Sequence, residues 1–178
     1  MKFLKRLISV IVILGAAFIG GAYLLPQEVT ISRSVMIEAA PDAIFPHVNS
    51  MQSTEGWSPW LARDPEVQLA YSGPEMGVGN TLEWQSDEPA VGNGRQEIVV
   101  SVENELVETA LDFGDMGTAK AAFILEGSGG STEVTWTLVS DMGTNPVGRY
   151  MGLMMDRWVG ADYEAGLENL KALVESGA

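Results

Sequence analysis

At 178 residues the chain has room for one domain with a real core, but not for two comfortable ones. Hydrophobic residues make up 46% of it and charged ones 19%, which excludes a disordered tail or a polar low-complexity protein. The formal net charge is −14; setting aside Lys2, Lys5 and Arg6 leaves 7 basic against 24 acidic residues from Pro26 onward, a net of −17 that repels phosphate backbones and argues against a nucleic-acid partner.

The first predicted element is N-terminal. From Leu7 to Leu25 run 19 uncharged residues, LISVIVILGAAFIGGAYLL, preceded by the basic stretch MKFLKR. As a helix rising about 1.5 Å per residue, this run spans close to the roughly 30 Å of a bilayer's hydrocarbon core. It predicts a single-pass transmembrane helix over residues 7–25. Basic residues before the run and none just after it predict a cytoplasmic N-terminus, with the rest of the chain on the extracytoplasmic side. A cleaved signal peptide is the alternative, with Gly20 and Ala22 as the small residues of a cleavage box. The length of the run and its continuation through Tyr23, Leu24 and Leu25 favour the anchor. Pro26 ends the helix and Gln27 and Glu28 leave a very short tether, so residues 1–28 divide off as anchor and tether from a single domain over 29–178.

Val29 to Ile37, VTISRSVMI, alternates as a half-buried strand does. Pro41 then starts a short helix, Asp42 to Val48, with Ile44, Phe45 and Val48 on one side. Residues 50–66 are irregular. Six alternating runs follow: Val67 to Tyr71, Thr81 to Ser86, Gln96 to Glu103, Leu106 to Phe113, Ala119 to Glu126 and Thr132 to Ser140. Breaks rich in turn formers, such as GPEMGVGN, GDMG and GSGG, separate them and predict an antiparallel meander. Asn145 to Glu175 has helical spacing, with Val147, Met151, Met154, Trp158, Ala161 and Ala165 on one stripe and Tyr163, Leu167, Leu170 and Val174 continuing it.

This order of elements, with AAPDAIFPHVNS after the first strand, then WSPWLARDP, YSGPEMGVGNTLEW and VTWTL, resembles the helix-grip superfamily of START-like (SRPBCC) proteins, in its polyketide cyclase/dehydrase and lipid-transport group. The resemblance runs from Val29 to Val174. It implies an α+β helix-grip fold, in which a curved antiparallel sheet of about seven strands wraps on the long C-terminal helix and leaves a cavity between them. It implies no universal catalytic set, because the group contains carriers, cyclases and regulators.

Strand parity puts Leu69, Tyr71, Leu82, Trp84, Ile98, Val100, Leu111, Phe113, Ala121, Phe123, Val134, Trp136 and Leu138 on the face toward the C-terminal helix, with Met151, Met154, Met155 and Trp158 looking back from that helix. Trp57 and Trp60, flanking Ser58-Pro59, fall near the cavity mouth in such folds. The candidate ligand-binding residues are therefore Trp57, Trp60, Tyr71, Trp84, Phe113, Phe123, Trp136, Met151, Met154 and Trp158. The same residue types also build ordinary cores, so the reading rests on the set.

Signals for chemistry are sparse. The chain has no cysteine, and its one histidine, His47, stands without a partner at metal-ligand spacing, so no metal, catalytic residue or cofactor is predicted. Gly77-Val78-Gly79 lacks the strand-then-helix context of a phosphate loop, and Arg63 and Asp64 are expected to pair locally. Glu83, Glu97, Glu108 and Asp112 fall on the outer face. The expected function is a membrane-anchored domain that binds an apolar small molecule or lipid between sheet and helix. The alternatives are a cyclase or dehydratase-type enzyme using the same cavity, and a scaffold whose cavity is filled by its own side chains.

Overall fold

The computed structural model describes residues 2–177. Helix α1, Lys2–Ala22, is long and apolar enough to cross a membrane, and of its residues only Ala22, at its end, is buried. Strand β1 is Glu28–Ile37, α2 is Pro41–Val48, and two 3₁₀ turns, Gln52–Gly56 and Leu61–Arg63, lead into β2, Gln68–Ser72. The meander continues through β3 (Thr81–Gln85), β4 (Gly94–Val102), β5 (Leu106–Asp112), β6 (Thr118–Ser128) and β7 (Ser131–Asp141), and helix α3, Pro146–Glu175, closes the chain.

The seven strands form one antiparallel sheet in the order β1-β7-β6-β5-β4-β3-β2. Short turns explain most of that order. Ser128 pairs with Ser131 across Gly129-Gly130, both at positive φ, which is the backbone a two-residue hairpin with right-handed twist requires. Asn104, at φ 61°, makes the tight turn from β4 to β5. The one long excursion, residues 38–67, carries the chain from one sheet edge to the other, so α2 and the 3₁₀ turns form a strap across the open side of the sheet.

Alternation decides which face is dry. Ile31, Ile37, Val107, Phe123, Leu125, Val134, Trp136 and Leu138 are all buried, while their sequence neighbours point outward. A register shift between Ile98 and Val100 pairs Val100 with the outward Glu108 and Ser101 with the buried Val107, so Val100 does not share the inner face of Ile98 as strand parity predicted. Helix α3 starts where the Asn145 side chain accepts from the Val147 amide at 2.9 Å with Pro146 in the first turn, and it ends before Gly177 at φ 72°.

The face that α3 turns to the sheet is lined by small residues. A Cβ at Gly152 would stand 2.9 Å from Val29 Cγ2, and one at Gly166 would stand 2.8 Å from Trp136 Cζ3. At Gly160 the space is filled by the Arg33 guanidinium, which donates to Glu164 Oε1 at 2.6 Å and Asp156 Oδ1 at 3.0 Å, one turn to each side. Tyr163, Leu167 and Leu170 complete the buried face. The expectation that Met151, Met154 and Trp158 look back at the sheet does not hold: they are 53%, 46% and 49% exposed. At about 100° per residue they lie opposite Gly152, Tyr163 and Leu167, so α3 has two apolar stripes and the glycine-rich one is inside.

Candidate ligand-binding site

Between the strap, the sheet and α3 the structure gathers five aromatic rings. Phe123 and Trp136 come from β6 and β7 as paired neighbours, Tyr163 from α3, and Trp57 and Trp60 from the strap. Trp136 is stacked on both sides, with Tyr163 at 3.8 Å and Phe123 at 4.8 Å between ring centroids. Trp57 meets Phe123 and Trp136 edge-on, and Trp60 meets Trp136 and Tyr163 in the same way. Aromatic pairs add about 0.5–1.5 kcal/mol each beyond their area, so the five rings hold the strap, sheet and helix together.

One polar atom in this cluster is unpaired. Trp136 is 5% exposed, and among the described residues its Nε1–H finds no acceptor. Trp57, by contrast, donates from Nε1 to the His47 carbonyl at 3.2 Å. Burial pushes the Tyr163 hydroxyl pKa well above the usual tyrosine range, so that phenol is neutral at any ordinary pH. The strap is tied to α3 at its margins: Asn169 Nδ2 donates to the Trp57 carbonyl at 3.2 Å, and Arg63 pairs with Asp162. The expected Arg63–Asp64 pair does not form, because Asp64 instead accepts from Ser86 Oγ and the Glu66 amide.

A second, half-exposed aromatic group lies toward the β2 edge. Trp84 and Phe113 meet edge-on at 6.0 Å, and Gly94 leaves the room that the Trp84 ring occupies. The Tyr71 hydroxyl donates to Glu55 Oε1 at 2.7 Å; desolvation, with the Glu55 bond second, raises its pKa. On the same inner face Gln96 Nε2 donates to Thr109 Oγ1 at 2.9 Å, a polar pair among Ile98, Val107 and Leu111.

The sequence-derived candidates thus fall into three places. Trp57, Trp60, Phe123 and Trp136 meet in the interior; Tyr71, Trp84 and Phe113 stand half-open toward one edge; Met151, Met154 and Trp158 are outside on α3. Sequence spacing puts Tyr163 on the apolar stripe of the C-terminal helix but not among the site residues, and Gln96, Thr109 and Arg33 were missed as contributors to the interior. Parity was the available signal for the last three, since Arg33 shares a face with Ile31 and Val35, Gln96 with Ile98, and Thr109 with Val107 and Leu111. Packed rings fill the interior, and two concavities open on the surface outside it. One of about 500 Å³ is bordered by Asp64, Glu66, Asp87 and Glu88, and a broad groove of about 1270 Å³ runs over the outer face of β4–β7. His47 is partly desolvated, which lowers its pKa, and no metal-binding cluster is present among the described residues.

A sequence family described as "Polyketide cyclase / dehydrase and lipid transport" matches residues 28–175, which is nearly all of the chain beyond α1. The chain belongs to this family. No curated protein matches the chain. Among solved structures, family-type folds recur at low identity. Norcoclaurine synthase from Thalictrum flavum, in complex with dopamine and hydroxybenzaldehyde, superposes with a TM-score of 0.64 at 14% identity over 85% of this chain and 88% of that one. The di-domain ARO/CYC StfQ from the steffimycin biosynthetic pathway gives 0.62 at 12% identity, covering 84% of this chain and 51% of its own. Protein CV1439 from Chromobacterium violaceum gives 0.55 at 16% identity, covering 82% and 96%. At such identities the likeness is one of fold. Family and fold together point to a ligand-binding or cyclase-type helix-grip domain.

Proposed function

We propose that this family member is a membrane-tethered binding module, which takes an apolar molecule with a flat unsaturated portion and a hydrogen-bond acceptor into the space between sheet, strap and α3. The unpaired Trp136 Nε1–H carries the reading. A buried donor without a partner costs about 1–3 kcal/mol, and a carbonyl entering the ring stack would recover it. Stacked rings on both sides of Trp136 are a surface that a planar group can replace ring for ring. Entry requires the strap segment bearing Trp57 and Trp60 to lift, which breaks their edge contacts with the ring stack as well as the ties at Asn169 and Asp162. In this reading α1 is retained as a membrane anchor and holds the module beside a reservoir of apolar molecules.

The test is native mass spectrometry with organic extraction on the full chain, purified in lipid nanodiscs from a membrane-containing host. A co-purifying apolar molecule, bound more weakly by Trp136→Phe, is expected. That substitution keeps one aromatic ring and removes the N–H together with the pyrrole part of the indole, so the melting temperature of the variant is measured beside its binding. A protein that stays empty and shows no mass shift after incubation with a short-chain quinone and with a fluorescent fatty acid would return the self-filled scaffold in place of the binding module.

One observation favours a cyclase-type activity. Tyr163 is a buried, neutral phenol beside the same rings, a hydrogen-bond donor for a substrate carbonyl that enters the stack. On that reading Tyr163→Phe retains binding and loses turnover of a bound polyketone.

A further inference from the structure

The outward stripe of α3 has a place to be. The C-terminal end of α1 is fastened to the first turns of α3: Phe18 stacks on Tyr150 at 4.6 Å, and the Tyr150 hydroxyl donates to the Phe18 carbonyl at 3.1 Å. Arg149, buried, donates to the carbonyls of Ala22 and Leu25 at 3.5 and 3.4 Å and lies over the Tyr23 ring. Phe18 sits four residues before the last residue of α1, about 6 Å down the helix axis, and well inside the uncharged run that ends at Leu25. Whatever layer surrounds the end of that run also surrounds Tyr150. From Tyr150 the exposed residues Met151, Met154 and Trp158 follow at one- to four-residue steps along the adjacent side of α3, with Leu153 flanking them.

Charge points the same way. In a chain of net −14, residues 142–155 carry no acidic side chain, and Asp156 is engaged by Arg33 on the sheet side. Arg149 is the one charge within residues 142–155, and Arg157 follows Asp156. The stripe is thus the part of the domain that an anionic lipid surface repels least. Tryptophan and tyrosine prefer the membrane–water interface, and methionine adapts to irregular apolar surroundings.

We propose that Met151, Met154 and Trp158 lie in the interfacial layer of the bilayer, so that α3 rests on the lipid surface and the domain is held by two elements rather than swinging on a tether. The occupant of the stripe is lipid, supplied by the same membrane that takes up α1, and the inference rests on the anchor reading above. It fixes the orientation of the whole domain: the α3 face lies down, and the outer face of the sheet, two layers away, faces water.

The chain has no cysteine, so single sites can be labelled. The full chain is reconstituted in phosphatidylcholine/phosphatidylglycerol vesicles with an environment-sensitive nitrobenzoxadiazole label at Met154→Cys, at Lys120→Cys on the outer sheet face, or at Leu14→Cys in α1. A blue-shifted emission at 154, quenched by lipids nitroxide-labelled near the headgroup, with a water-like spectrum at 120, is expected. A probe at 154 as water-exposed as that at 120, while the probe at 14 reports hydrocarbon, overturns the interfacial placement and leaves the anchor standing. A water-like probe at 14, or an intact mass lacking α1, overturns both. Met154 is exposed, so the labelled variant retains the circular dichroism and melting temperature of the parent.

Discussion

Gly160 and Met154 lie on the same helix, and hydropathy ranks them the wrong way round. Gly160 is buried against Arg33, whereas nearly half of the Met154 surface is open to its surroundings. Gly160→Ala is therefore expected to lose about 0–1 kcal/mol of ion pairing against alanine's better helix propensity, whereas Gly166→Ala, whose added methyl would stand 2.8 Å from the stacked Trp136 ring, is expected to lower stability by about 1–3 kcal/mol. Met154→Ala should change it by no more than about 0.5 kcal/mol. Chemical denaturation of Gly166→Ala beside Met154→Ala reads out which face of α3 is core. His47 supplies a pH prediction. Burial lowers its pKa below the usual 6.5, so its neutral form is favoured in the fold. The sign follows: this contribution is complete above pH 6.5 and is lost as pH falls through the lowered folded value. Denaturation midpoints between about pH 7.5 and 5.5 should fall less steeply in His47→Gln than in the parent.

The strap closes over the aromatic cluster: α2, Met51 and Trp57 anchor it in the core, and its outer part is tied to α3 by the Asn169–Trp57 hydrogen bond and the Arg63–Asp162 pair. Partly exposed ion pairs contribute about 0–1 kcal/mol, so Arg63→Ala combined with Asn169→Ala should leave the global melting temperature nearly unchanged. Amides of residues 54–63 should exchange faster in that variant, as hydrogen-exchange mass spectrometry can measure, and uptake of a fluorescent fatty acid should quicken. If exchange accelerates uniformly across the sheet as well, the strap is part of the cooperative core and does not open alone. The strands were legible from alternation to within about two residues, as was α3 over Asn145 to Glu175, because a period of two and a helical period are local properties. The interior was legible only in part. Trp57, Trp60, Phe123 and Trp136 could be nominated from parity and position, but their meeting with Tyr163 depends on how α3 is rotated about its axis.

For the whole molecule, the acidic surface and the apolar α1 make opposite demands. A sequence pI of about 4.3 means that self-repulsion keeps the domain dispersed at neutral pH. Light scattering of detergent-solubilised full chain should rise as pH approaches that value and fall again at high salt-free neutral pH; flat scattering across the range would mean that the detergent-covered α1, not charge, governs association. The sequence by itself determined the segment capable of crossing a membrane, the succession of strands and helices, and through them the helix-grip class. The first two follow from hydropathy and periodicity along the chain, and the class from the resemblance carried by their order and by segments such as WSPWLARDP and YSGPEMGVGNTLEW. Only the tertiary structure decided which of two apolar stripes on α3 faces the sheet, and that Arg33 occupies a groove made by glycines. It alone closed the interior with five rings, leaving Trp136 Nε1 without a partner. The physical reason is that a helix with two apolar faces is degenerate in sequence. Close approach of backbones selects the face with the smallest side chains, and hydropathy does not register that approach.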